Sequence, residues 1–472
     1  MSKNNKESAE QTLAERIEGS LNSFLAKNKM ILIIVAAVLV VALIALGIVT
    51  SVNQKNLQAQ FDQVDKLESS YAELQILGSE DATYQAKYDE LLAGLQDLAG
   101  KGVYASKLTL GDNVKALEEK MQEYLQVKHA CFITNATAGF EIGLKFAGLK
   151  PGDEVIAPAI TFLSTIAYPL VIGAKVVLAD VDPLTLNIDP KDIARKITKK
   201  TKAIMPVHIG GYPCEMDEIM KLAEEHDLTV VEDVAHGFGG WYKGKALGCI
   251  GHFGSFSFHE VKNITSLGEG GLITTNTEYG NDFPKARFGG FDISNPIDKW
   301  LYDVVLLKGK GGHLSMAGNH SPMEIQAVAL MEQLKRNQQI IDIRRENAAY
   351  LIERFKEVEE IIPCPFDTED IKSTFHLYLL QLDWRKLNGD IQDFKVKIGE
   401  KGITQIPHFA PLYRFSYLKQ FGYDTEAIKR SCPNAEEAFL HKFTHLPLYP
   451  LTREQLEYMA DSVIEVVKEM RK

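Results

Sequence analysis

The chain has 472 residues, 45% hydrophobic and 24% charged, which is the balance of a folded protein of two or three domains. A formal net charge of −11 excludes the basic excess that marks nucleic-acid binders. Five scattered cysteines with no Cys-x-x-Cys pair exclude a disulfide framework and a zinc knuckle.

Residues 1–29 read as an amphipathic tail, with Leu13, Ile17, Leu21, Phe24 and Leu25 on one helical face. Residues 30–52, "MILIIVAAVLVVALIALGIVTSV", are uncharged and long enough to span a bilayer as a helix. The run is too long, and starts too far into the chain, for the apolar core of a signal peptide. Lys27 and Lys29 before it, against Lys55 after it, bias the N-terminus slightly inward. Residues 53–106 predict a helical hairpin or stalk. Leu57, Phe61, Val64, Leu67, Tyr71 and Leu74 recur at three- and four-residue steps, "GSED" interrupts, and Tyr84, Tyr88, Leu91, Leu92 and Leu95 resume. "AGKG" at 99–102 marks a junction.

From about residue 107 the texture changes. Short apolar runs, "ACFIT" (130–134), "EVIAPA" (154–159), "KVVLADV" (175–181), "AIMPVH" (203–208), "TVVEDV" (229–234), "FGSFSF" (253–258) and "GGLITT" (270–275), alternate with helical patterns such as "EMDEIMKLAEEH" (215–226). This predicts an α/β fold with a mostly parallel, seven-stranded sheet covered on both faces, over 107–333. Longer helices, a strand pair and a final helix predict a smaller α+β domain over 334–472.

Ligands in open α/β sheets bind beyond the carboxyl ends of the strands. Those ends offer Asn135, Thr137 and Ala138 at a helix start, Thr161 and Phe162, then Asp233 and His236, then Ser257, His259 and Lys262. A lysine, an aspartate, an aromatic ring and a hydroxyl-bearing helix start suit pyridoxal phosphate. Its aldehyde takes an amine, its pyridine nitrogen a carboxylate, its ring a flat cover and its phosphate a helix N-terminus. Each element alone has a plainer reading. An "ED" after an apolar strand is more often a capping pair, and a serine in "FSF" more often filler.

Longer stretches resemble the DegT/DnrJ/EryC1/StrS family of aminotransferases: "KALEEKMQEYLQVKHACFITNATAGFEIGL", "KPGDEVIAPAITFLST", "VVEDVAHGFGGWYKGKALG" and, most discriminating, "SFSFHEVKNITSLGEGG", with "RRENAAYL", "IPHFAPLY" and "LPLYPLT" further on. The likeness covers about residues 107–472. It implies the fold type I, aspartate-aminotransferase-like architecture and a pyridoxal phosphate cofactor. By the same resemblance Lys262 is the cofactor-bearing lysine and Asp233 the partner of the pyridine nitrogen, these two being catalytic. Phe162 is the ring cover and His236 the neighbour of the phenolic oxygen. Thr137, Ala138 and Ser257 form the phosphate cradle, joined by Asn319 from the partner subunit of a homodimer.

The implied reaction moves an amino group from glutamate to a keto sugar, nucleotide-linked, for cell-surface or secondary-metabolite sugars. A cyclitol ketone, or a non-catalytic membrane-anchored scaffold, are the alternatives. A branch of the family with histidine in place of the lysine performs dehydration; Lys262 sets this chain apart from it. Cytoplasmic reagents and unpaired cysteines place the catalytic part on the cytoplasmic side of a single-pass anchor, or simply in the cytoplasm if the N-terminal segment is a foreign fusion. Three departures from the family pattern stand out. Ala136 replaces a glycine, His320-Ser321 replaces a Tyr-Arg after Asn319, and the anchor and stalk replace the family's first helix.

Overall fold

Seven strands are aligned by their continuous apolar runs into one sheet. In chain order they are β1 (His129–Ile133), β2 (Glu154–Pro158), β3 (Lys175–Ala179), β4 (Thr201–Ile204), β5 (Thr229–Asp233), β6 (Phe253–Ser257) and β7 (Gly271–Thr275). In the computed structural model the spatial order is β1-β7-β6-β5-β4-β2-β3. Strands β2 to β6 pair in parallel, while β7 runs antiparallel to both β1 and β6. The structure describes residues 109–298, 301–403 and 409–472, together with the isolated helical positions Lys66 and Ala86. The expected tail, membrane span and stalk lie outside the described residues. Among the described residues no helix is long and apolar enough to cross a membrane.

Side chains leave each strand alternately to the two faces. Cys131 and Ile133 of β1, Val231 of β5 and Phe253 of β6 enter one apolar core. Ala130 and Phe132, Val230, and Phe256 from the same strands enter the other. Each such fully buried Phe, Val or Ile contributes roughly 1.5–3 kcal/mol relative to an exposed one. Covering helices include α1 (Asp112–Leu125), α2 (Ala136–Phe146), α3 (Ser164–Val171) and α4 (Met216–Glu225). In α4, Met216, Ile219 and Ala223 recur on the buried face, and Asp217 and Glu218 occupy the first turn, where the helix dipole favours them.

Helix α5 (Glu324–Phe355) is 32 residues long and runs through the expected boundary at 333. Its first residue is a tether. The buried Glu324 carboxylate accepts from the backbone N–H groups of Gly111 (2.7 Å), Asn113 (2.9 Å) and Val114 (3.1 Å), satisfying the orphan donors that begin α1. The chain beyond builds a three-stranded antiparallel sheet from β10 (Ile361–Ile362), β11 (Tyr378–Leu382) and β12 (Phe443–Leu446). It packs with α6 (Ile391–Glu400) and α7 (Arg453–Met470) around a third core that includes Leu351, Phe394, Leu446 and Val463. Residues 109–472 cluster as one compact unit, apart from residues 1–108.

The sheet is mostly parallel, as its apolar runs predict, with β7 reversed; a buried strand's apolar run carries no direction, so that reversal is set by its neighbours. The reversal brings Gly271 between the carboxyl ends of β1 and β6, opposite Ile133 and Ser257. A side chain at Gly271 would lie 2.4 Å from the backbone of Asn135, so only glycine lets α2 begin there.

Candidate active site

Strand β5 ends in two carboxylates that leave on opposite faces. Glu232 is fully buried and accepts from Gly248 N (2.9 Å), Ile250 N (2.9 Å) and Gly251 N (2.5 Å), and it lies 3.1 Å from His208 Nε2. It fastens the turn before β6. Asp233, 4% exposed, has fewer partners: Thr165 Oγ1 donates to Oδ2 (2.8 Å) and Ala235 N–H to Oδ1 (3.1 Å). Thr165 spends its proton on the carboxylate, so Thr161 Oγ1, 2.8 Å away, donates in turn to Thr165 Oγ1. The two threonines, four residues apart, thus tie the start of α3 to the end of β5. Burial raises the Asp233 carboxyl above the ordinary carboxylate range, against the lowering by these hydrogen bonds and by the nearby charge of Lys262.

Lys262 sits in a loop closed at its base by Phe258 N–H to Gly270 O (2.8 Å) and Ser266 N–H to Phe258 O (3.1 Å). Its own N–H donates to His259 O at 2.9 Å. Burial lowers its amine below the ordinary lysine value, while the charges of Asp233 and Glu269 raise it. The next residue holds the loop. Asn263 donates weakly to His236 O (3.5 Å) and Phe238 O (3.4 Å), and its Oδ1 lies 2.9 Å from His376 Nδ1. With the amide nitrogen turned to those carbonyls, His376 Nδ1 carries the proton and donates. The His376 ring stacks on that of His236, centroids 4.5 Å apart, and burial, then the charges around it, hold it well below the usual histidine value. His236 Nδ1 accepts from Gly210 N–H (3.3 Å).

Asn135 caps α2, its side chain accepting from Ala138 N–H at 3.0 Å. The Ala138 amide is therefore already bonded, whereas Thr137 Oγ1 and N–H have no hydrogen-bond partner among the described residues. Ala136 is the first helical residue and has no positive φ, so its methyl does not strain the turn. Ser255 Oγ donates to Ala136 O (2.8 Å) and fixes α2 on β6. Ser257, at the end of β6, accepts from His259 N–H at 3.4 Å. Phe162 is 63% exposed, its carbonyl accepting from Thr165 N–H (3.2 Å). Asn319 is exposed, bridges Phe288, and accepts from Ser321 N–H at 3.2 Å. Among the described residues it makes no hydrogen bond to the Lys262 cluster; the adjacent His320 carbonyl accepts from Thr134 N–H (3.2 Å), just before the α2 cap.

A depressed amine beside a buried, under-bonded carboxylate, with a free hydroxyl and amide at a helix start, is a donor set that suits pyridoxal phosphate. Thr165, Asn263 and His376 were not foreseen. The spacing of Thr161 and Thr165 and the Lys-Asn pair were available signals for the first two. His376 lies more than a hundred residues from Lys262 and carried none.

The DegT/DnrJ/EryC1/StrS aminotransferase family model matches residues 96–464, starting before the residue 107 expected from the motifs. Spore coat polysaccharide biosynthesis protein SpsC of Bacillus subtilis is 34% identical, covering 77% of this chain and 91% of its own. GDP-perosamine synthase of Escherichia coli O157:H7 is 30% identical, covering 75% and 90%. A Streptococcus pneumoniae protein solved in its PLP form superimposes with a TM-score of 0.69 at 26% identity, covering 78% and 95%.

The electrostatics around Lys262 have a measurable sign. In cofactor-free protein, competitive acetylation followed by peptide mass should give Lys262 a midpoint below that of the exposed lysines. Asp233→Asn removes a raising charge and should lower the midpoint further. A midpoint at or above that of exposed lysines contradicts this account.

Proposed function

The chain belongs to the DegT/DnrJ/EryC1/StrS aminotransferase family, and from that premise we propose that it transfers an amino group from glutamate to the carbonyl of a nucleotide-linked keto sugar. The enzymes of this family are pyridoxal-phosphate-dependent aminotransferases. The sugar-directed names of two relatives support the substrate class. The observation that carries the reading is the buried Asp233 carboxylate at the end of β5, held by only Thr165 and Ala235, with Lys262 near enough to feel its charge.

Pyridoxal phosphate, when bound, supplies an aldehyde carbon and a ring that draws electrons from the donor's α-carbon. Asp233 holds a proton on the ring nitrogen by charge, and Thr165, backed by Thr161, fixes the carboxylate that does so. Lys262 is the residue that would hold the aldehyde carbon, and its Nζ would carry the proton in the transfer. Its lowered affinity for protons favours its acting as a base. Phe162 would cover one face of the ring, and His236, braced by Gly210 and His376, would meet the phenolic oxygen. Thr137, Ser257 and the start of α2 take the phosphate; Ala138 contributes only if Asn135 releases its amide.

We read the protein as a homodimer in which Asn319 of one subunit completes its partner's site. The hairpin of β8 (Phe291–Asp298) and β9 (Leu301–Val304) supports this. It exposes Ile293, Ile297, Leu301 and Val304, more apolar surface than a lone hairpin leaves in water. Residues 30–52 we read as a membrane anchor with the catalytic unit on the cytoplasmic side, which five unpaired cysteines suit.

Lys262→Ala should abolish amino transfer with the fold intact, and Asp233→Asn should keep the cofactor but lower kcat about 10²-fold or more. Turnover near wild type in either purified variant removes that residue from its role. Mixing Lys262→Ala with Asn319→Ala protein should restore part of the activity; none, with subunit exchange verified, counts against the shared site. The full chain should stay with membranes through an alkaline carbonate wash, and recovery in the supernatant rules out the anchor.

A further inference from the structure

Arg344, in α5, is 5% exposed. Of the five N–H donors on its guanidinium, one is bonded, Nη1 to His376 O at 3.0 Å. Nε is buried with no partner, and the Tyr449 ring lies 5.2 Å from Cζ. Among the described residues no carboxylate pairs with it, and the segment 404–408, Thr-Gln-Ile-Pro-His, carries no acidic residue that could.

Two neighbours show how unusual this is. Arg287, 7% exposed, is ion-paired with Glu118 and donates to Phe132 O. Arg345, the next residue in the helix, pairs with Asp367. A buried cation without a counter-charge is costly, and its retention asks for an anion. Burial presses Arg344 down to about 10, against the raising influence of Tyr449, so it is still a cation at neutral pH.

The position says which anion. His376 accepts from Arg344 through its carbonyl and donates to Asn263 through its ring, and Asn263 follows Lys262 directly. One residue therefore separates the guanidinium from the loop that carries the reactive amine. We propose that Arg344 is the site at which the amino donor's carboxylate binds, holding the donor while its amine meets the chemistry at Lys262. This rests on the transaminase reading above. A single planar guanidinium, set beside the Tyr449 ring and bonded to the His376 carbonyl, matches one planar carboxylate. A diphosphate would bring two or more negative charges against one cation.

The test uses the cofactor-loaded full chain, titrated calorimetrically with glutarate, a dicarboxylate without an amine, and separately with UDP. Arg344→Gln should weaken glutarate tenfold or more and leave UDP within twofold, with Arg344→Lys recovering part of the loss. Unchanged glutarate affinity in Arg344→Gln overturns the proposal. So does loss of UDP affinity, whether glutarate binding is kept or lost with it. Should Arg344→Gln fail to fold, phenylglyoxal labelling of the wild type decides. Glutarate should slow modification of Arg344 in the peptide map, and no protection overturns the site. Release of 2-oxoglutarate from glutamate by the wild type is followed alongside. Its absence defeats the transaminase reading itself. Its presence, with glutarate binding indifferent to Arg344, defeats only the carboxylate site.

Discussion

The constraint on which the site depends is a carboxylate buried at the end of a central strand. Asp233 is held in a place where charge is expensive, with two hydrogen bonds where an ionised carboxylate has room for about four. Its surroundings follow from that need. Thr165 must face it, which sets where α3 begins, and Thr161 must back Thr165, which sets the path of the loop after β2. A cation must be near, and the charge of Lys262, ahead of that of His208, lowers the carboxyl. Glu232, one residue earlier and pointing the other way, shows the contrasting case: three backbone donors and a histidine satisfy it, and it serves as a structural clamp.

Bringing Lys262 to that carboxylate requires the chain to turn back after β6 without burying unpaired backbone. The loop does so by closing on itself between Phe258 and Gly270 and then entering the sheet as a reversed strand. Reversal has a steric consequence. The first residue of β7 meets the first turn of α2 at backbone contact distance, and a glycine there resolves it. Gly271 therefore serves close packing between a strand and the helix that begins beside it.

Features encoded within a few residues were legible in the sequence. The apolar runs marked the seven strands to within four residues, and the polar groups at or just past their ends singled out Asp233, His236, Ser257 and Lys262. Asn135 before α2 and Thr452 before α7 carry their own capping chemistry. What escaped was set by distance in the chain. Strand direction at 271–275 depends on its neighbours. Glu324 reads as an ordinary helix-start acid until Gly111, Asn113 and Val114 are seen beneath it. Arg344 and Arg345 are adjacent in the sequence, yet a rotation of about 100° per residue sends one inward and the other to Asp367. The Lys-Asn pair pointed to Lys262, but Asn263 acquires its role only through His376, more than a hundred residues later.

That long-range partner also explains how two cations can share one site. Lys262 and Arg344 both act on His376, and a protonated imidazole between them would make three positive charges in a buried space. Burial and those same charges keep the ring neutral, so it can offer one N–H to Asn263 and lie flat on His236 without adding to the repulsion. A carboxylate or amide at this position could not do the same work: the first would neutralise the cations, and the second has no ring to stack. The imidazole spaces the two positive centres, and its fixed tautomer steadies the loop that carries one while its carbonyl anchors the other. The chain leading into the second sheet thus delivers one neutral ring whose residue contacts both Asn263 and Arg344.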